Sequence, residues 1–172
     1  DGGSVNGTGK TLIDADRLTT FENNVGATNA IEELNIAAIQ VDLDGVTNAI
    51  TSTVFSGDGT LELDASAAQS LTSTITTTNE LGTIINANTS GVLTFTGTIG
   101  TEAARVKEIA LLDNTDTTFQ SAVFALTLDI DTAAADDVTT FTIGNVIGDD
   151  AALGGALTVA GGTIVLDTAV IN

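Results

Sequence analysis

Residues 93–100 read Leu-Thr-Phe-Thr-Gly-Thr-Ile-Gly, and residues 20–28, near the start of the chain, read Thr-Phe-Glu-Asn-Asn-Val-Gly-Ala-Thr. The Phe residues of these two stretches, Phe21 and Phe95, are separated by the same interval as the Gly residues that follow the Val or Ile, Gly26 and Gly100. A third, looser copy occupies residues 140–148. Repetition of this kind predicts stacked supersecondary units, which favours a scaffold over a catalyst.

Outward from residues 93–100, short runs rich in Val, Ile, Leu and Thr alternate with turns rich in Gly, Asn and Asp, and the chain has no Pro. Leu61 and Leu63 alternate with Glu62 and Asp64, which is typical of a half-buried strand. Many short strands at intervals of about 8–12 residues predict a sandwich, a barrel or a solenoid. The predicted strands are 10–13, 18–21, 34–43, 49–55, 60–63, 71–78, 83–86, 92–99, 108–112, 117–119, 122–130, 138–143, 156–159 and 163–166.

Two segments have helix-like spacing. Residues 28–38 place Ile31, Leu34 and Ala38 on one side of a helix, and residues 101–112 combine Ala and Glu residues with Lys107. Both segments follow the Gly of a repeat copy, so we interpret each as a corner, with a helical turn, that leads into a short strand.

The 172 residues predict one domain, 1–172, in which residues 1–9 are a flexible or strand-donating N-terminal segment. No apolar run approaches the roughly 20 residues that span a bilayer, so we expect no transmembrane segment. The chain begins at Asp1 and contains no Met, which favours export followed by cleavage and hence a secreted, cell-surface location.

Charge limits the partners. Four basic residues face 23 acidic ones, giving a net charge of −19. Such a surface repels the phosphates of nucleic acids and anionic lipids, so we expect neither as a partner. Copies of this chain would need salt or divalent cations between them in order to pack side by side.

Catalysis has few candidate groups. The chain has no His and no Cys, so Ser-His and Cys-His pairs cannot form. Two carboxylates could serve a glycosidase, but sugar clefts usually also present aromatic platforms, and Tyr and Trp are absent. We therefore expect no enzyme activity, and a polysaccharide lyase or hydrolase is the least favoured hypothesis.

Calcium is the one cofactor for which the sequence offers ligands. Carboxylate oxygens suit this ion, and an Asp-x-Asp pair on a strand places both carboxylates on one face. The candidate ligands are Asp42, Asp44, Asp129 and Asp131. The alternative interpretation is a solvated acidic face.

The repeat resembles the passenger regions of large bacterial autotransporters and surface-layer proteins, especially those like rickettsial outer-membrane protein B. The resemblance spans about residues 18–166. It is carried by residues 93–100, then by Ile109-Ala110-Leu111, then by Thr117-Thr118-Phe119. It implies a parallel β-solenoid that is exposed on a cell surface and is self-associating or adhesive.

Together these patterns predict an all-β protein, a parallel β-solenoid with helical corner turns, and a β-sandwich is the alternative. A coil of about 20–25 residues fits the short repeat periods of solenoid proteins. The expected function is an extracellular structural protein that self-assembles as a homo-oligomer or polymer into a surface layer, filament or sheath. The alternative is a monomeric adhesin module that contacts a host surface or carbohydrate through its loops.

Overall fold

A computed structural model of the chain describes residues 5–7, 12–15, 17–78, 80–112, 115–130, 138–141, 146–147, 156–159, 163–166 and 170–171. Seventeen strands lie in these ranges. The first nine are β1 Leu12–Ala15, β2 Thr19–Phe21, β3 Ile31–Ile36, β4 Gln40–Leu43, β5 Thr47–Phe55, β6 Thr60–Leu63, β7 Gln69–Thr77, β8 Leu81–Asn86 and β9 Leu93–Phe95. The others are β10 Val106–Leu111, β11 Thr117–Phe119, β12 Ala125–Ile130, β13 Val138–Phe141, β14 Val146–Ile147, β15 Ala156–Val159, β16 Thr163–Leu166 and β17 Val170–Ile171.

The strands form a parallel β-solenoid with two long sheets. The first sheet has the order β1-β3-β5-β7-β9-β11-β13-β16, and the second has the order β15-β12-β10-β8-β6-β4-β2. The short strands β14 and β17 pair separately. From β1 to β13, successive strands enter the two sheets alternately, so each strand pairs with a strand of the next coil.

Pairing between coils is parallel throughout the named strands. In the first sheet Ile31 pairs with Ile50, and in the second Leu61 pairs with Ile84. Both separations along the chain are close to the predicted coil length. The β-solenoid prediction is therefore confirmed, and the alternative of a β-sandwich is wrong, because a sandwich is built from antiparallel pairs.

The core lies between the two sheets and is built from one side of each strand. Val41 and Leu43 of β4 are fully buried, as are Leu61 and Leu63 of β6. The residues between them point away from the core, so the alternation predicted for Leu61 and Leu63 is confirmed. Burial of such side chains contributes about 1.5–3 kcal/mol each, which makes this continuous interior the main stabilising feature of the fold.

A file of aromatic residues runs through the first sheet. Phe95 pairs in register with Phe119, and Phe119 pairs with Phe141. Phe21, which the long sequence repeat aligns with Phe95, lies instead on β2 of the second sheet, beside Leu43. Phe21 is therefore not part of this file, and the long sequence repeat does not predict which sheet it enters.

The expected helical turns are also wrong, whereas the short strands expected after these corners are confirmed. In the part of the chain that the structure describes, neither segment contains a helix, and strands β3 and β10 occupy much of residues 28–38 and 101–112. Both strands have a parallel partner on each side, which outweighs their helix-like spacing. The corner before β10 is a tight turn in which the backbone N–H groups of Thr101 and Ala104 each donate to the other's carbonyl, at 2.9 and 3.1 Å.

Two glycines with left-handed backbone precede corners. Gly26 and Gly100 have φ angles of 73° and 68°, in the left-handed region that favours glycine. Each follows a bridging residue: Val25 pairs with Val5, and Ile99 pairs with Ile75 and Val123. After Gly26 the chain enters β3 of the first sheet, whereas after Gly100 it enters β10 of the second. The long sequence repeat therefore matches the local backbone of the two glycines but not their place in the coil.

Buried amides hold other corners. The Asn48 side chain is fully buried, accepts a hydrogen bond from the Val25 backbone N–H at 3.0 Å and donates to the Gly45 carbonyl at 2.7 Å. Backbone groups at a buried corner can lack a strand partner, and an amide side chain can both donate to them and accept from them. Asn48 thus ties the start of β5 to the previous coil.

Residues 5–7 lie against the segment that precedes β3, since the Gly7 N–H donates to the Asn29 carbonyl at 2.9 Å. The strand-donating role expected for residues 1–9 stays a prediction.

Candidate functional site: an acidic ladder on the second sheet

Carboxylates line up on the outer face of the second sheet. Asp42 of β4 is the register partner of Glu62 of β6. One step beyond the end of each strand, the Asp44 N–H donates to the carbonyl of Phe21 and the Asp64 N–H donates to the carbonyl of Leu43. These contacts place the next acidic residue of each coil in a second file. We call the five residues the acidic ladder: Glu22, Asp42, Asp44, Glu62 and Asp64.

The ladder follows from two periodicities. Along β4, Val41 and Leu43 point into the core, so Asp42 and Asp44 share the outer face, as the Asp-x-Asp pattern predicts. Across the sheet, parallel pairing repeats about every 4.8 Å, so a carboxylate on one coil stands beside the carboxylate of the next. Like charges directly opposite each other destabilise a sheet.

Neutral donors partly compensate this repulsion. The Gln40 Nε2 donates to Asp42 Oδ1 at 2.7 Å and to Glu62 Oε2 at 2.9 Å, so one amide bridges two carboxylates. The Thr20 hydroxyl donates to Asp42 Oδ2 at 3.0 Å. Asp42 is therefore held by donors from its own coil and from the previous one.

Protonation is favoured at two positions of the ladder. Partial burial, followed by the charges of Asp64, Asp42 and Glu22, raises the pKa of Asp44 above its ordinary range. Partial burial also raises the pKa of Glu62, with further contributions from Asp42, Asp64 and Asp44. Both shifts have the direction expected when burial and neighbouring negative charges disfavour the carboxylate.

The described candidate calcium ligands lie at two separate places on the second sheet. Asp42 and Asp44 lie in the acidic ladder, whereas Asp129 lies on β12, four strand spacings away in the same sheet. At about 4.8 Å per spacing this separation is about 19 Å. Asp131 lies outside the described residues. Among the residues that the structure describes, no group of three or more acidic side chains is arranged to hold a metal ion.

An exposed ion pair lies elsewhere on the surface. The Lys107 Nζ is 2.7 Å from Asp58 Oδ2, and both side chains are about half exposed. The hydrogen bond from Lys107 lowers the pKa of Asp58, and the same bond raises the pKa of Lys107. Asp58 thus differs from Asp44 and Glu62, whose carboxylates face other carboxylates.

The sequence interpretation missed Glu62 and Gln40. A second sequence repeat, with a period of one coil, would have identified Glu62. This period is much shorter than the interval between Phe21 and Phe95. Residues 41–44 read Val-Asp-Leu-Asp, and residues 61–64, one coil later, read Leu-Glu-Leu-Asp. That spacing would have aligned Asp42 with Glu62 and Asp44 with Asp64. Chemically, the resulting arrangement attracts cations.

Within the described ranges no helix is long and apolar enough to cross a membrane. Comparisons with protein-family models, with curated proteins and with solved structures give no match. The geometry of the coils and the distribution of charge over them are therefore the features from which function is inferred.

Proposed function

We propose that this protein is an extracellular structural protein whose copies assemble into a surface layer, filament or sheath. The observation that carries the proposal is the repeat architecture itself, in which two continuous parallel sheets extend coil by coil along one axis. A solenoid of this kind grows by adding strands at its ends, and unpaired strand edges are natural sites for pairing with another chain.

The outermost strands among the described pairings are β1 and β16 in the first sheet and β2 and β15 in the second. Each has one neighbour in these sheets. End-to-end contact between copies through such strands would continue both sheets with the same strand direction. This mode uses backbone hydrogen bonds and is compatible with a chain that carries few aromatic side chains.

Charge sets the conditions for assembly. A net charge of −19 opposes close packing of copies, so salt or calcium between copies is part of the proposal. The acidic ladder is where we place this screening, because its carboxylates already repel one another within one copy. In this proposal calcium lies between the acidic faces of neighbouring copies, where it bridges or screens their charges. It does not occupy a site formed by the ligands of a single chain.

Negative-stain microscopy of the purified chain, with calcium and then with excess chelator, tests the proposal. We expect filaments or sheets with calcium that dissociate on chelation. Assemblies that persist in chelator would retain the polymer and remove calcium from the proposal. A chain that stays monomeric in both conditions, at high concentration, would contradict assembly and favour the adhesin alternative.

A matched pair of variants separates the ladder from charge in general. The double variant Asp42→Asn/Asp44→Asn removes two carboxylates from the ladder, whereas Asp58→Asn/Glu108→Gln removes two that lie outside it. If the ladder is the site of screening, only the first variant assembles without calcium. Equal behaviour of the two variants would show that only the total charge matters.

A further inference from the structure

A second surface has the opposite character to the acidic ladder. On the outer face of the first sheet, hydroxyl side chains pair in register from coil to coil: Thr47 with Ser70, Ser70 with Thr94, and Thr94 with Thr118. Thr72 and Thr74 of β7 are exposed beside this file. We call this surface, on strands β5, β7, β9 and β11, the hydroxyl face.

The hydroxyl face is free of charge. Strands β5, β7, β9 and β11 contain no Asp, Glu, Lys or Arg, although the chain has four basic and 23 acidic residues. The neighbouring strand β3 of the same sheet carries Glu32 and Glu33, and the second sheet carries the acidic ladder. These four strands are therefore uncharged, and a carboxylate of Asp116, which directly precedes β11, accepts a hydrogen bond from the Val138 N–H.

Two further features lie at the hydroxyl face or at its border. Val46 and Val92, in the turns directly before β5 and β9, are large apolar side chains that stay 38% and 39% exposed. A shallow groove of about 340 Å³ opens between the strands and is lined in part by Thr72, Thr74 and Thr96. The groove adjoins a shift of register between Ala49 and Ser52 in the pairing of β5 with β7. Such irregularities bend a strand and open space beside it.

We propose that the hydroxyl face binds the hydroxyl face of a second copy of this chain. This inference rests on the proposed function and names the lateral contact of the assembly. Copies with a net charge of −19 repel each other through most of their surface, and the hydroxyl face is where they approach without juxtaposing carboxylates. A cationic partner would instead be drawn to the acidic ladder.

The contact is self-complementary. A copy related by a two-fold axis presents the same coil spacing and the same alternation of hydroxyl and methyl groups. Thr side chains from two sheets can then interdigitate, with methyl groups buried and hydroxyl groups paired across the contact, as in tightly packed sheet interfaces.

The face is small. Two strands of nine residues and two of three residues, at about 4.8 Å spacing and about 3.3 Å rise per residue, cover roughly 400 Å². A standard stable interface uses about 800 Å² on each partner. A face-to-face pair is therefore transient in dilute solution and persists where a polymer raises the effective concentration.

The first test is sedimentation velocity of the full chain at high concentration and moderate salt. The double variant Thr72→Glu/Thr94→Glu adds two charges to the hydroxyl face, and we expect it to raise the dissociation constant of the lateral dimer by at least about tenfold, because the added carboxylates face each other. The control Thr83→Glu/Thr127→Glu adds the same charge to the outer face of the second sheet. It should change the dissociation constant of the lateral dimer by less than about threefold. Thermal unfolding of each variant verifies that it folds.

The second test uses the absence of Cys from the chain. Single variants Thr72→Cys and Thr94→Cys should form disulfide-linked dimers under mild oxidation, whereas Thr83→Cys should not. If the chain assembles but only Thr83→Cys forms cross-linked dimers, the hydroxyl face is not the contact, and the proposed function still stands. The same conclusion follows if the two double variants change the dissociation constant equally. A wild-type chain that never associates would overturn both the face assignment and the proposed function. A monomer that binds insoluble polysaccharide through Thr72 and Thr94 would replace the second copy with a carbohydrate.

Discussion

Phe95 and Phe119 stack with their ring centroids 5.2 Å apart and their ring planes at 8° to each other. The two residues are register partners in adjacent coils, so the stacking distance is set by the spacing of the strands. The two identical side chains thus form a short column inside the solenoid. The column links the packing of these two adjacent coils.

Truncation of a Phe side chain in this column should lower the stability of the protein. We expect Phe119→Ala to lower the free energy of unfolding by about 3–5 kcal/mol, because Phe119 is fully buried and the cavity cannot close between two hydrogen-bonded strands. Phe119→Leu fills most of the space and should cost less. Urea denaturation followed by circular dichroism measures both. Equal stability of Phe119→Ala and the wild type would show that the column does not support the core.

A glycine beside another Phe should be equally intolerant of change. Gly82 has a φ of 80°, and a Cβ at this position would lie 2.3 Å from Cγ of the Phe55 ring. We expect Gly82→Ala to destabilise the protein by about 2 kcal/mol or more, since backbone strain and overpacking add. Thr83→Ala, at the neighbouring half-exposed position, is the control and should stay within about 0.5 kcal/mol of the wild type. A melting temperature of Gly82→Ala equal to that of the control would contradict the packing at Phe55.

Removal of one charge from the acidic ladder should stabilise the protein at neutral pH. Glu62→Gln keeps an oxygen that can accept the Gln40 hydrogen bond and removes the repulsion with Asp42. The expected gain is about 0.2–1 kcal/mol, the usual size of a cross-strand pair effect. It should shrink at high salt, where repulsion between exposed charges is screened.

The pH dependence of that gain has a defined sign. The pKa of Glu62 is higher in the folded chain, so the folded state binds more protons between the ordinary pKa of about 4.3 and the raised value. Wild-type stability therefore falls as pH rises through this window, and the advantage of Glu62→Gln appears over the same window. Glu108→Gln, whose register partners are Thr83 and Thr127, should show no such gain. A gain of equal size for both variants would assign the effect to net charge.

The ion pair of Asp58 with Lys107 should have the opposite response. The pKa of Asp58 is lowered, so its contribution to stability is present above the ordinary Asp range and is lost as pH falls through the lowered pKa. Because both side chains are about half exposed, we expect a small effect on stability but a clear change in titration. NMR titration of the Asp58 carboxyl should show its pKa rise in Lys107→Ala. An unchanged pKa in that variant would exclude the hydrogen bond in solution.

The buried amide of Asn48 should matter more than an exposed one. Asn48→Ala leaves the buried Val25 N–H without its acceptor, which should cost about 1–3 kcal/mol. Asn35→Ala removes two exposed hydrogen bonds, one donated to Asp14 and one accepted from the Ser56 hydroxyl, and should cost about 0.5 kcal/mol or less. Hydrogen exchange at Val25 gives a second, local measurement. Slow exchange at Val25 in Asn48→Ala would show that another group satisfies this N–H.

Most strands were predictable because their inward and outward residues alternate, whereas the two-residue strands β14 and β17 were not predicted. Leu61 and Leu63 point inward and Glu62 points outward, as their alternation predicts. The predicted run 34–43 proved to be parts of β3 and β4, separated by a corner at residues 37–39. The corner residues Ala37, Ala38 and Ile39 are apolar, so composition gave no turn signal there.

Register between coils was the harder inference. Phe21 and Phe95 match in local sequence but lie on different sheets, because a sequence offset does not say which of two similar sheets a strand enters. The register of the acidic ladder was unpredictable for a similar reason. The sequence predicts that Asp42 and Asp44 share one face of a strand. Their alignment with Glu62 and Asp64 depends on the length of the intervening coil. The Gln40 bridge depends on side-chain geometry that no spacing rule supplies.

The length of chain between register partners is not constant from coil to coil. Ile31 pairs with Ile50, whereas Leu81 pairs with Val106 over a longer stretch of sequence, yet both pairs lie in continuous parallel sheets. The difference is accommodated between the strands, in corners whose backbone contributes little to the sheet pairing. In evolutionary terms, corners are where descendants of this chain can gain or lose residues, while whole coils are the units that duplication can copy.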